Sequence, residues 1–294
     1  MSDSDAPLPD SAAIENLPVS LDRWPSPATD PQVQWSEKYI AGCESLLGKA
    51  VCRRLGIYRL PAGFVLTVII PVYNEAETVV AALDRLLATG LPMEILMVND
   101  GSVDGSGTLL DTLAQRANVR VIHHPRNQGK GAAIRTGLQA ATGDCIVIQD
   151  ADLEYDPEDF RLLLQPLLDD EADVVYGTRY AHSDRQVSPL WHQQVNAMIT
   201  GLANCAIGLK LSDIETCYKV ARRTTWQAIA PRLKENRFGF EIEATAYFAR
   251  QRLRFAERHI RYHHRWYDEG KKIGWKDGVR ALWCILIYGF LRRG

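Results

Sequence analysis

Cys145–Pro157 reads CIVIQDADLEYDP, four apolar residues followed at once by acidic side chains at positions 150, 152 and 154. The apolar run has the length of a short strand buried on both faces. A doubly wound α/β sheet meets its ligands outside the carboxyl ends of its strands, so Asp150, Asp152 and Glu154 are expected where a substrate reaches them. Their alternate spacing points all three the same way if the chain stays extended. Oxygen-only ligands suit a hard cation such as Mg²⁺ or Mn²⁺, which keeps positions open for substrate phosphates. Taken alone, the run also describes a solvated acidic turn with Pro157 starting the next helix.

Two upstream strands end in polar signatures of the same kind. Phe64–Ile70 runs into PVYNEAET, and Met93–Val98 runs into NDGSVDGSG. Helices are expected over Glu75–Ala88 and Asp104–Ala117, with further strands at Val119–Ile122 and Asp173–Tyr176. Strand and helix alternate as in a mostly parallel sheet with right-handed crossovers and helices on both faces. A glycine-flanked lysine, Lys130 in NQGKGAA, adds a cation near the same end, although the phosphate-binding loop G-x-x-x-x-G-K-[ST] is absent. Gly129 and Gly131 serve backbone freedom on either reading.

In content and order, IIPVYNE, VNDGSVDGS, NQGKGAAIRTG, QDADLEYDP and YGTRY resemble the family 2 glycosyltransferases of GT-A fold over roughly residues 64–179. DIETCYKV at Asp213, ENRFGFEIEATAYFAR at Glu235 and RYHHRWYDEGKKIGWKDG at Arg261 are similar to the dolichyl-phosphate glucose and mannose synthases. The resemblance implies a metal-dependent, inverting transfer of a hexose from a nucleotide sugar to a polyprenyl phosphate, with glucose from UDP-glucose as the expected donor. It implies that Pro71, Tyr73, Glu75 and Asp100 frame the base and ribose, while Asp150 and Asp152 face diphosphate and metal. Glu154 stands where the mannose synthases often carry glutamine.

The acceptor decides whether a base is needed. A hydroxyl must lose its proton during attack, whereas a phosphate monoester, with a second pKa of about 6, is already largely dianionic near neutrality. A polyprenyl phosphate needs cations instead, and Arg179, Arg265, Lys271 and Lys272 are the candidates. With a glycan or small-molecule hydroxyl as acceptor, or with GDP-mannose as donor, the same motifs apply, and Asp213 is the base for the hydroxyl case. Asp213 also suits a turn cap. Glu241 and Glu243 open a helix expected over Gly239–Arg250, where the dipole favours carboxylates in any case. Glu241 is retained as a lesser site candidate. From a different class, the same motifs would fit an inactive nucleotide-sugar-binding scaffold.

Composition agrees with a cytoplasmic enzyme. The chain has 294 residues, 46% hydrophobic and 24% charged, enough to bury a full core. Six cysteines show neither C-x-x-C nor zinc spacing and read as reduced thiols. The start has no signal-peptide pattern. Net charge is only −2, yet residues 219–294 hold 18 Lys and Arg against 7 Asp and Glu. Such asymmetry suits an anionic partner, a phosphate or an acidic membrane surface. Nucleic acid is not expected, because no recognition motif is present and the chain as a whole is acidic.

Residues 1–36 form an expected disordered leader, rich in proline and acidic residues. Residues 37–60 hold an amphipathic helix and linker, with Ile40, Cys43, Leu47, Val51 and Leu55 on one face. Residues 61–270 form the catalytic domain. Residues 271–294 carry ALWCILIYGFL between arginines, too short to span a bilayer. This segment suits either a core or homodimer helix or a helix lying in a membrane interface, with peripheral attachment at the cytosolic face.

Overall fold

The computed structural model describes residues 35–180, 190–264 and 275–291. The 1–34 part of the leader and the acceptor-phosphate candidates Arg265, Lys271 and Lys272 lie outside them.

The centre is β1 (Leu66–Val72), a β-branched run buried on both faces except at Pro71. It pairs in parallel with β2 (Met93–Asn99) on one side and β4 (Cys145–Ile148) on the other. Outside β2 lies β3 (Val119–His123), also parallel. Beyond β4 come β6 (Lys219–Arg222), β5 (Val174–Thr178) and β7 (Phe255–His259), giving the order β3-β2-β1-β4-β6-β5-β7. Within this sheet β6 is antiparallel to both neighbours, while β5 and β7 pair in parallel. The mostly parallel sheet expected from the motifs is present, and helices pack around it.

The helices in chain order are α1 (Glu37–Leu47), α2 (Lys49–Arg54), α3 (Val79–Ala88), α4 (Ser106–Leu113), α5 (Lys130–Ala140), α6 (Phe160–Leu168), α7 (Leu190–Ile207), α8 (Arg223–Ile229), α9 (Phe240–Arg250) and α10 (Trp275–Cys284). The last continues as a π-helical turn over Ile285–Leu291. Small residues let α5 lie close on the sheet: a Cβ at Gly137 would come within 2.5 Å of the Ile69 side chain. Trp226 of α8 is wholly buried, with its ring edge-on to Phe248 of α9 at 4.8 Å.

Three elements differ from expectation for local reasons. The α3 helix starts at Val79, not Glu75; the residues before it form a turn whose Glu75 and Ala76 amides donate to Ser106 Oγ and Asp104 Oδ2. Asp104 accepts from the Ser106 amide outside α4, which begins at Ser106. Beyond Leu113 the chain tightens into turns, the Gln115 and Arg116 amides donating to the Thr112 and Leu113 carbonyls, so the helix is shorter than the run 104–117. The amphipathic segment breaks at Gly48, whose φ is +80°. Ile40 and Cys52 are then buried, whereas Leu47, Val51 and Leu55, expected on the same face, whether packed on the catalytic domain or laid on a membrane interface, are exposed.

The carboxy-terminal apolar run is divided in the same way. Ala281, Cys284, Ile285 and Tyr288 pack with Ile199, Ala203 and Ala206 of α7 and with Ile242 and Ala246 of α9. Leu282, Trp283, Leu286 and Phe290 face outward, as do Val195, Met198 and Leu202 of α7. Among the described residues, no helix is long and apolar enough to cross a membrane.

Close packing of α5 on β1 makes a direct test. Gly137→Ala inserts a methyl against Ile69 and is expected to cost about 1–3 kcal/mol, whereas Gly201→Ala on α7, where a Cβ meets nothing within 4 Å, is neutral or slightly stabilising. Thermal denaturation of the two variants in the reverse order would refute this packing.

Candidate active site

The chain runs outward from β1 to β2 and β3, then returns to β4 on the other side of β1. That reversal opens a crevice at the carboxyl ends of β1 and β4, the usual ligand position in such sheets. Three polar loops border it, and hydrogen bonds lace them together. Asn74, at φ +53°, accepts from the Val103 amide through Oδ1 and donates its own amide to Ser102 Oγ. Tyr73 is exposed and Pro71 half-buried. Thr78 donates to the Glu75 carboxylate at 2.8 Å.

Asp100 is buried, and its carboxylate accepts from the amides of Gln128 at 2.9 Å and Gly129 at 2.6 Å. His124 Nδ1 lies 2.8 Å from the same group. Asp100 thus pins the NQGKG loop to the end of β2. Gly101 is required there, since its φ is +69° and a Cβ would lie 2.5 Å from the Arg126 carbonyl carbon.

Lys130 opens α5 and sends its ammonium to Asp150 at 2.8 Å, with Glu241 at 3.5 Å. Burial works against this charge, but Asp150 and Glu241 outweigh it and hold the lysine well above its usual range. On the far side of Glu241 lies Lys219, fully buried, with Nζ at 2.8 Å from Oε2 and 2.9 Å from the Ile214 carbonyl oxygen. The antiparallel direction of β6 brings Lys219 here: its first residue pairs with Tyr176, near the carboxyl end of β5. Glu215, on the same approach to β6, is pushed up to about 7 by burial and by Glu241.

The acidic loop holds a second cluster. Asp152 accepts from the Glu154 amide at 3.2 Å. Burial, with Asp150 and Glu154 nearby, pushes its carboxyl up to about 8. Glu154 is turned toward Tyr262, whose hydroxyl donates to Oε2 at 2.6 Å. The segment after β7 lies along this loop, through a bridge between Tyr155 and Tyr262 and a 2.8 Å bond from the His263 amide to the Glu154 carbonyl. Among the described residues, no three His, Cys, Asp or Glu side chains form a ready-made metal cage.

Arg179 follows β5 and forks onto Asp213, Nε to Oδ2 at 2.7 Å and Nη2 to Oδ1 at 2.8 Å. Asp213 is wholly buried and also accepts from Asn196 at 3.2 Å. The guanidinium carbon lies 5.2 Å from the ring centres of both Tyr180 and Tyr262.

The structure therefore brings Asp150, Asp152, Glu154, Lys130 and Glu241 into one region. Arg179 with Asp213 adjoins it through Tyr262. Pro71, Tyr73, Glu75 and Asp100 stand at the β1 and β2 end of the crevice. Sequence reading gave no individual role to Lys219, Glu215 or Tyr262. Their motifs were visible, but their position depends on the reversed strand β6 and on the return of the chain after β7.

Residues 67–229 match the sequence profile described as Glycosyl transferase family 2. An undecaprenyl-phosphate mannosyltransferase of Micrococcus luteus is 32% identical over 213 residues, 70% of this chain and 86% of that protein. An undecaprenyl-phosphate 4-deoxy-4-formamido-L-arabinose transferase of Edwardsiella ictaluri is 32% identical over 204 residues, 67% of this chain and 61% of that relative. Among solved structures, glucosyl-3-phosphoglycerate synthase from Mycobacterium tuberculosis, in complex with phosphoglyceric acid, superposes with a TM-score of 0.58 at 18% identity, covering 87% of this chain and 84% of that one. That likeness concerns the fold, which is GT-A. With the family profile running from β1 to the end of α8 and enclosing the acidic loop, Lys130, Arg179 and Asp213, this chain belongs to glycosyl transferase family 2 and is a glycosyltransferase.

Proposed function

We propose that this glycosyltransferase moves a hexose from a nucleotide-diphosphate sugar to a polyprenyl phosphate, working as a peripheral protein at the cytosolic face of a membrane. The observation that carries this reading is Arg179, a guanidinium fixed beside the acidic loop by a buried carboxylate. Asp213 takes Nε and Nη2; among the described residues Nη1 has no hydrogen-bond partner, and we assign it to the acceptor phosphate. In this role Asp213 orients the arginine, and the dianionic acceptor needs no base. Arg265, Lys271 and Lys272 are the further cations we assign to that phosphate.

On the donor side, Asp150 and Asp152 would hold Mg²⁺ or Mn²⁺. Two carboxylates fit such an ion, which commonly takes its remaining ligands from substrate phosphates and water. Burial first, then the neighbouring Asp150 and Glu154, raise the Asp152 carboxyl, and a bound cation would relieve that cost and favour its ionised form. When bound, the ion acts as a Lewis acid on the leaving diphosphate. Lys130 adds a fixed cation to the same end, and Pro71, Tyr73, Glu75 and Asp100 would bound the nucleotide. Glu154, occupied by Tyr262, is left as an outer neighbour of the ion. An acceptor phosphate oxygen attacks the anomeric carbon, a carbon–oxygen bond to the phosphate forms, and the bond to the nucleotide diphosphate breaks with inversion.

UDP-glucose remains the donor favoured from the sequence, with GDP-mannose as the alternative donor; the relative described as a mannosyltransferase supports mannose as the sugar of that alternative. The outward apolar stripes of α7 and of Leu282, Trp283, Leu286 and Phe290 support attachment to lipid. A homodimer through these stripes is the competing occupant.

Three outcomes are expected. With Mn²⁺, short-chain polyprenyl phosphate and radiolabelled UDP-glucose or GDP-mannose, label enters the organic phase, and Asp152→Asn lowers this by at least ~10²-fold with an unchanged circular-dichroism spectrum. Full activity of that variant would sink the assignment. Asp152 also sets a pH dependence. A carboxyl raised on folding stabilises the fold while protonated, so its contribution is whole below the ordinary carboxylate range and is lost as pH climbs through about 8. In EDTA the melting temperature accordingly falls from about pH 4 to 8 and levels off above that, and Asp152→Asn flattens part of the fall. An equally steep fall in the variant would clear Asp152 of the effect. Finally, the protein floats with anionic liposomes, and a Trp283→Glu, Phe290→Glu double variant stays in the soluble fraction. Equal flotation of both proteins, or a dimer that the double variant splits, would move the stripe away from lipid.

A further inference from the structure

Residues 233–239 lie between the donor-side lysine and the carboxy-terminal helix and fit closely against both. On the lysine side the contact is made by backbone. The Gly131 amide donates to the Asn236 carbonyl at 2.8 Å. A Cβ at Gly129 would lie 2.1 Å from that oxygen, and one at Gly131 would lie 2.2 Å from the Glu235 carbonyl oxygen. Arg135 of α5 donates to the Glu235 carbonyl at 2.6 Å. Neither glycine flanking Lys130 can move toward this loop, and the loop cannot shift without moving them.

On the other side, the Glu235 carboxylate is buried and takes Arg280 Nη2 at 2.8 Å from each oxygen and the Tyr288 hydroxyl at 3.0 Å. A Cβ at Gly239 would meet Cys284 Sγ at 2.5 Å. Glu243 holds the loop from beneath, accepting from the amides of Lys234 and Glu235 at 2.8–2.9 Å. Arg280 and Tyr288 belong to the element whose opposite face exposes Leu282, Trp283, Leu286 and Phe290. A buried carboxylate with a guanidinium and a phenol as partners has one well-defined seat, because losing the guanidinium leaves its charge uncompensated and losing the phenol removes a buried hydrogen bond.

We infer that Glu235 is a positioning residue for the transfer reaction: it carries the seat of the carboxy-terminal helix through the 233–239 loop to Lys130, and so sets how tightly the site holds a nucleotide diphosphate. The link from Glu235 to Lys130 stands on the contacts above, while its response to lipid rests on the membrane reading.

The test uses the full chain, with the dissociation constants of UDP and GDP in Mn²⁺ measured by calorimetry, alone and with phosphatidylglycerol-containing vesicles. Glu235→Gln and Arg280→Ala are each expected to weaken binding of the preferred nucleotide about 10-fold. The double variant is no weaker than either single one, since both break the same contact. Arg280 is half-exposed, so its variant remains informative if Glu235→Gln folds poorly. Vesicles shift the wild-type affinity, and Glu235→Gln no longer responds to them. Unchanged nucleotide affinity in both variants, with only the melting temperature lowered, would reduce Glu235 to a structural brace and overturn the inference. A protein that fails to float while both variants still lose nucleotide affinity would count against the membrane reading and uphold the role of Glu235. A protein that floats, with variants that bind nucleotide normally, would do the opposite.

Discussion

The site depends on a row of alternating charges withdrawn from water: Asp150, Lys130, Glu241 and Lys219. Each is contributed by a different element, the end of β4, the start of α5, the start of α9 and the start of β6. Desolvating such groups singly would cost several kcal/mol apiece, so each holds its place only because its neighbours hold theirs. The row thereby fixes four chain segments at one end of the sheet. It leaves Asp152 and Glu154 beside Asp150 in a partly buried loop, where a third negative charge is poorly tolerated without a cation.

Around this row, the backbone does much of the positioning. Asp100 anchors the Lys130 loop through two amides, and Asn236 anchors it again from the opposite side. Asn74, Asp104 and Ser106 lace the loops after β1 and β2 at the expense of the first turn of α3. Polar side chains that could have met solvent are spent instead on backbone amides that have no partner in a helix or strand.

The outer layer follows a different rule. The helices α7 and α10 are apolar on more than one side, so packing them against α9 leaves residual apolar surface. In α1 and α2 the break at Gly48 rotates Leu47, Val51 and Leu55 outward while Ile40 and Cys52 take the buried positions. Apolar residues at helical spacing thus identify a helix without saying which stripe of it the core will claim.

The sequence by itself located the five strands β1 to β5 and the polar loops that follow them, whereas β6 and β7 were not legible in it. The buried strands are short β-branched runs bounded by turn residues, and β2 and β4 begin where the pattern places them, because a strand covered on both faces must be apolar throughout. The same local pattern located Asp150, Asp152, Lys130 and Arg179, since each directly follows a strand or opens a helix. Only the tertiary structure decided what those groups touch. Lys219 reaches Glu241 because β6 is antiparallel, Tyr262 reaches Glu154 because the chain returns after β7, and Asp213 closes on Arg179 from 34 residues away. Such pairings arise from long-range strand order and burial, and no local spacing encodes them.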